Sequence, residues 1–156
     1  MQTGKAKSPA ATRQLAEDCL NSGAPRAKWD EMLVAQGADL KAFNRKLALD
    51  HTAPVVLELK SPTAGFVSKC DARIIGEVIR DLGGGRLTKE STINFDVGVD
   101  RLVKQGEAVK AGDRLIRIHA TTQAAARSAA ARLKAAFEIS RRRPQPIQLI
   151  AQIVAR

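Results

Sequence analysis

A chain of 156 residues with 44% hydrophobic side chains can build one domain with its own core and at most a small appendage. Only 3% of the residues are aromatic and none is tyrosine, so the core must rest on Val, Ile, Leu and Ala, and a stacking platform for single strands is disfavoured. The net charge of +10 is spread along the sequence, with Arg141, Arg142 and Arg143 the one run, which suits a solvated basic surface or an acidic partner better than a nucleic-acid groove.

Residues 1–9 are polar and basic without an apolar signal core and read as disordered. From Ala10, the residues Ala11, Leu15, Cys19 and Leu20 recur at helical spacing, and Asn21-Ser22-Gly23 ends that segment. A second helix follows Pro25, carries Trp29, Met32 and Leu33 on one face, and stops near Gly37. Two short helices cannot bury both apolar stripes on each other, so the hairpin over 10–37 reads as a piece that docks on something larger, with Trp29, Met32 and Leu33 as the candidate partner interface. Residues 38–53 are mixed and polar, a linker with a helical turn near Phe43.

The region 54–156 reads as an α+β domain. Pro54 to Leu59 is a strand, Pro62 and Gly65 turn the chain, and Phe66-Val67-Ser68 begins the next strand. Asp71 is a helix N-cap, Ile74, Ile75, Val78, Ile79 and Leu82 form an apolar stripe, and Gly83-Gly84-Gly85 ends the helix. Strands are expected at Arg86–Lys89, Ile93–Val99 and Val109, with turns at Gly106 and Gly112, and Leu115, Ile116 and Ile118 close the β region. Thr121 or Thr122 caps an alanine-rich helix running to about Phe137, packed through Ala126, Ala129, Ala130, Leu133 and Phe137. The tail from Pro144 to Val154 is ambiguous, since Ile147 and Leu149 suit a strand while Ile150, Ile153 and Val154 suit a helix.

Few residues carry chemistry in recognisable spacing. Gly83-Gly84-Gly85-Arg86 ends a helix instead of opening one, which reads as a C-cap and not a phosphate loop. His51 and His119 have no Cys, His or carboxylate at metal-ligand spacing, so neither metal nor cofactor is expected. No serine sits in a nucleophile elbow. Asp96 and Asp100 could pair as acid and base, although carboxylates at a strand end are more often solvated or salt-bridged. Arg86, Arg141, Arg142 and Arg143 are left as anion-binding candidates. Cys19 and Cys70 are distant thiols suited to a reducing compartment, and no run is long enough to span a bilayer, so a cytoplasmic location without membrane contact is expected.

The glycine turns of the run from Lys104 to His119, with Val109 and Leu115 between them, resemble those of biotinyl and lipoyl carrier domains, implying a barrel-sandwich (lipoyl-like hammerhead) fold with flanking helices. No lysine stands where a carrier's swinging arm would attach, since His119-Ala120-Thr121-Thr122 occupies that place. The whole series, from Leu20-Asn-Ser-Gly23 through Ala64-Gly65-Phe66-Val67, Leu82-Gly83-x-Gly85-Arg86, Lys89-Glu90 and Val97-Gly98 to the Lys104–His119 run, resembles the last third of the thymidine and pyrimidine-nucleoside phosphorylases. Archaeal-type AMP phosphorylases have a related domain. The resemblance implies that residues 10–37 correspond to the end of the family's α/β domain and 54–156 to its C-terminal domain. The family's catalytic residues lie upstream, and its Arg- and Gly-rich stretch leading to Gly-Thr-x-Asp is absent from this sequence, so no catalytic position carries over. The implied role is structural support, with the phosphorylase catalytic domains or a second copy as partner. The alternative is a free-standing binding module whose basic surface takes RNA or an acidic protein. Asp100 departs from the family pattern, falling where an apolar residue is expected.

Overall fold

The computed structural model describes residues 4–146, and the strand-or-helix choice at Ile147 to Val154 lies outside the described residues. The chain divides into two compact units, Met1–Asp50 and His51–Arg156.

The first unit is helical. Helix α1 spans Pro9–Asn21, α2 spans Ala24–Ala35 and α3 spans Leu40–Leu47. Ser8 and Pro9, expected in the irregular N-terminal stretch, are the cap and first residue of α1, and the Ser8 side chain accepts from the Ala11 N–H. The stretch expected as a linker contains the two-turn helix α3. Asp39 caps it, its carboxylate accepting from the N–H groups of Lys41 and Ala42 at 2.8 and 3.1 Å. Arg26 donates to Asp30 on its own helix and to Asn44 on α3, and the Trp29 and Phe43 rings lie 6.5 Å apart. No residue of these three helices is buried.

The second unit holds the core. Its strands are β1 (Val55–Lys60), β2 (Gly65–Cys70), β3 (Gly98–Asp100), β4 (Ala108–Val109), β5 (Arg114–Ala120) and β6 (Phe137–Ser140). They form two three-stranded antiparallel sheets, β1-β5-β3 and β4-β2-β6. The α+β class is as expected, but among the described residues no closed barrel forms. Helix α4 (Ala72–Ile79) starts at Asp71, whose carboxylate accepts from Arg73 and Ile74 and is thereby held below the usual carboxylate range, Ile74 contributing most. Its apolar stripe faces inward: Val78 and Ile75 are buried, and Ile74, Ile79 and Leu82 pack on the same core. The chain leaves α4 through a wide turn at Arg80–Gly84, in which Gly83 takes φ of 100°, a conformation that glycine reaches without a steric penalty. Helix α5 (Gln123–Leu133) is capped by Thr122 and packs on β1, β5 and α4.

Three expectations need correction. Arg86–Lys89 and Ile93–Val97 are not strands, because nearby side-chain oxygens take up their backbone donors. Ser91 Oγ accepts from Leu87 and Thr88, and Asn94 Oδ1 accepts from Asp96. Helix α5 stops at Leu133 instead of reaching Phe137. After a short 3-10 turn, Phe137 opens β6, pairing with Cys70, while Ser140 pairs with Phe66. Phe137 is buried, Glu138 exposed and Ile139 half-buried, the alternation of a one-faced strand.

Candidate functional site

Strand β5 is central in its sheet and almost wholly buried, with Ile116 and Ile118 fully enclosed. Alternating with these residues are two polar side chains, Arg117 and His119, two positions apart and therefore on one face of the strand. The antiparallel register sets Asp100 of β3 opposite Arg117 and Gly98 opposite His119. Asp100 Oδ1 accepts from Arg117 Nε at 2.7 Å and from His119 Nε2 at 2.9 Å, and Oδ2 accepts from Arg117 Nη2. A carboxylate can only accept, so His119 carries its proton on Nε2. The bidentate Arg117 guanidinium foremost, with His119 adding to it, holds the Asp100 carboxyl far below the usual carboxylate range. The His51 ring lies 6.1 Å from that of His119, with its own Nδ1 directed to the Ala53 carbonyl at 3.1 Å.

This arrangement holds two strands together more than it prepares a reaction. Both oxygens of Asp100 are engaged, and a permanently charged arginine keeps the carboxylate from serving as a proton acceptor near neutral pH. Asp96, the other half of the acid–base pair considered from sequence, accepts from Thr52 Oγ1. Among the described residues, no three His, Cys, Asp or Glu side chains converge as a metal site. Cys70 is half-buried, and burial, more than the neighbouring Asp71, pushes its thiol pKa up, away from nucleophilic reactivity.

Of the partner-interface candidates, Trp29 and Met32 are exposed while Leu33 is half-buried on α2. Arg86 is exposed at the start of the stretch that follows the glycine turn. Arg141, Arg142 and Arg143 are exposed immediately after β6. Arg143 comes together with a residue the sequence reading did not single out, since it and Lys104 line the same cleft. The Asp100–Arg117–His119 cluster was also missed. Its one sequence signal was polar residues interrupting an apolar strand, together with a carboxylate where an apolar residue was expected.

The second unit is thus a short-stranded β core with two capped helices, α4 and α5, in which Asp100, Arg117 and His119 join β3 to β5. Residues 66–140 match the family model described as the pyrimidine nucleoside phosphorylase C-terminal domain, and through this domain the chain belongs to the thymidine and pyrimidine-nucleoside phosphorylase family. It is 33% identical over 153 residues to the thymidine phosphorylase of Burkholderia orbicola, covering 96% of this chain and 34% of that protein. It is 34% identical over 119 residues to the pyrimidine-nucleoside phosphorylase of Geobacillus stearothermophilus, covering 76% of this chain and 27% of that protein. The thymidine phosphorylase of Colwellia psychrerythraea is 28% identical over 145 residues, 93% of this chain and 33% of its own length. The chain thus spans about a third of the curated relatives it matches.

Proposed function

We propose that this chain acts as the C-terminal structural domain of a phosphorolytic pentosyltransferase, an enzyme of pyrimidine metabolism that converts thymidine and phosphate to thymine and 2-deoxyribose 1-phosphate. The chemistry is supplied by catalytic and phosphate-binding domains of the kind that make up the rest of its relatives. The observation that carries this reading is the similarity to thymidine phosphorylase along 96% of the chain. Two further features support it. The only tight carboxylate–imidazole–guanidinium cluster described is consumed in joining β3 to β5. The first unit leaves Leu15, Leu20, Trp29, Met32 and Val34 exposed, which suits a segment that packs on a larger α/β domain. We read the two small sheets, which share one core, as an open form of the barrel-sandwich, and we place the protein in the cytoplasm, where its two free thiols stay reduced. No described helix is long and apolar enough to cross a membrane.

The test has two arms. The purified chain, given thymidine and phosphate, is expected to release no thymine. Exchanged for the matching C-terminal third of the Burkholderia orbicola enzyme, it is expected to preserve phosphate-dependent thymine release. Release by the chain alone that co-purifies with it, or a folded but inactive hybrid, overturns the reading. A second reading, a free-standing module for RNA or an acidic protein, rests on Arg141, Arg142 and Arg143, which are exposed and make no ion pair among the described residues. It requires steeply salt-dependent binding to polyanions.

A further inference from the structure

A cleft of about 710 Å³ opens at the end of the β4-β2-β6 sheet. Phe66, on the central strand β2, lies at its base, in register with Ala108 of β4 on one side and Ser140 of β6 on the other. One wall is the turn Lys104–Ala108, and the other is the segment Arg143–Pro146 that leaves β6. The turn wall is tied to β2, and the other wall follows from β6, which pairs with β2. The Val67 N–H donates to Glu107 O at 2.9 Å, and the Gly106 N–H donates to Val67 O at 2.8 Å. On the other side, Gly65 lets β6 come so close that a Cβ there would lie 2.6 Å from Ser140 O. One wall of the cleft is therefore fixed to β2, the other starts three residues beyond Ser140, and the volume falls in the range of small-molecule sites.

What the cleft brings together is two cations and a carboxylate that are not spent on one another. Several cations elsewhere in the unit are matched to carboxylates: Lys69 to Asp71 and Glu138, Arg114 to Glu58, Arg132 to Asp81. Lys104, Arg143 and Glu107 all line this cleft, and none of the three makes an ion pair among the described residues. Two unneutralised cations attract a dianionic group such as a phosphate monoester. An unpaired carboxylate beside them accepts hydrogen bonds from hydroxyl groups, as ribose provides. The primary amides of Gln105 and Gln145 stand on opposite walls and can both donate and accept, which fits the edge of a polar heterocycle. Phe66 with Pro144 and Pro146 supplies apolar surface for its flat face. A strand of nucleic acid needs a succession of stacking rings. This cleft has one, enough for a single base.

We propose that the cleft binds a nucleoside 5′-monophosphate, its phosphate against Lys104 and Arg143, its ribose hydroxyls at Glu107, and its base over Phe66 between Gln105 and Gln145. The proposal stands whether or not the chain takes part in phosphorolysis.

Isothermal titration of the full chain with UMP, AMP, CMP and GMP, singly and at low ionic strength, tests it. At least one nucleotide is expected to bind at one per chain, with uridine and inorganic phosphate each at least about tenfold weaker than the best nucleotide. Lys104→Ala and Arg143→Ala, at exposed positions where folding is checked by unchanged thermal melting, are each expected to weaken binding about tenfold or more. Glu107→Gln is expected to narrow the gap between a ribonucleotide and its 2′-deoxy counterpart. Three results overturn the proposal. One is no saturable binding of any of the four nucleotides. Another is affinity unchanged in both cation variants. The last is affinity for oligouridylate that climbs with length far above that for UMP, which would assign the surface to a strand and not a nucleotide.

Discussion

Replacing Asp100 with alanine removes the carboxylate that accepts from Arg117 Nε and Nη2 and from His119 Nε2, while Arg117 keeps a side chain only 7% exposed. Breaking a buried ion pair from one side costs roughly 3–5 kcal/mol, because the remaining charge stays in a poorly solvated place. Asp100 is itself 42% exposed, so water already screens the pair and will enter the vacated space. That lowers the expected loss to about 2 kcal/mol. For a unit of about a hundred residues, each kcal/mol moves the melting temperature by roughly 4–5 °C, so a fall of about 10 °C is expected at pH 7. Calorimetry or circular dichroism reads it. The double variant Asp100→Leu with Arg117→Met should recover much of the loss, since apolar residues of similar volume often replace a buried pair at little cost.

The pH dependence adds an independent check. The folded-state pKa of Asp100 is depressed, so its contribution is fully present above the unfolded value of about 3.9 and is lost as pH falls below it toward the folded value. The gap between wild type and Asp100→Ala is therefore widest at neutral pH and narrows below about pH 4. A variant melting within about 2 °C of wild type at pH 7, or a gap of the same size at pH 3, would refute the role of this cluster as a clamp between β3 and β5.

Two other substitutions probe the frame around it. Val78→Asp puts a carboxylate where the side chain is 1% exposed, and a loss of several kcal/mol is expected, seen as failure to yield a cooperatively melting chain. A normal melt would show that the α4 stripe does not face the core. Gly65→Ala places a methyl group 2.6 Å from Ser140 O and 2.8 Å from Ile139 Cγ2, so β6 must shift, at a cost of about 1–3 kcal/mol by thermal or urea melting. Wild-type stability would mean that β6 is not held so close to β2.

What the sequence revealed and what it hid follow from the range of the interactions. The α4 stripe, the Asp71 cap and the Thr122 cap are local, written within four residues, and each appears where the periodicity and capping chemistry put it. Helix α3 was seen only as a turn near Phe43, because its eight residues, rich in charge and with no buried face, barely exceed two turns. The false strands between Arg86 and Val97 had apolar residues at strand-like spacing, but Ser91 and Asn94 offered their donors a closer partner than a neighbouring strand. Strand β6 was masked by the alanine-rich helix before it, into which Phe137 fits at helical spacing. The Asp100 cluster was the least legible feature. Asp100 and Arg117 are 17 residues apart, and they meet only because β3 and β5 pair in one particular register. The shared cleft of Lys104 and Arg143 has the same origin, as it depends on which strands flank β2.

The lengths of the outer strands also bear on how the molecule behaves in crowded solution. A sheet edge exposes a row of unpaired amides and carbonyls on which a passing chain can build, and the hazard grows with the length of the row. Here β3 has three residues, β4 two and β6 four, while α5 packs against the longer strand β1. None of these short margins offers a foreign strand more than a few hydrogen bonds. With like charges keeping copies apart, the unit is expected to resist fibrous self-addition despite a core rich in Val, Ile and Leu.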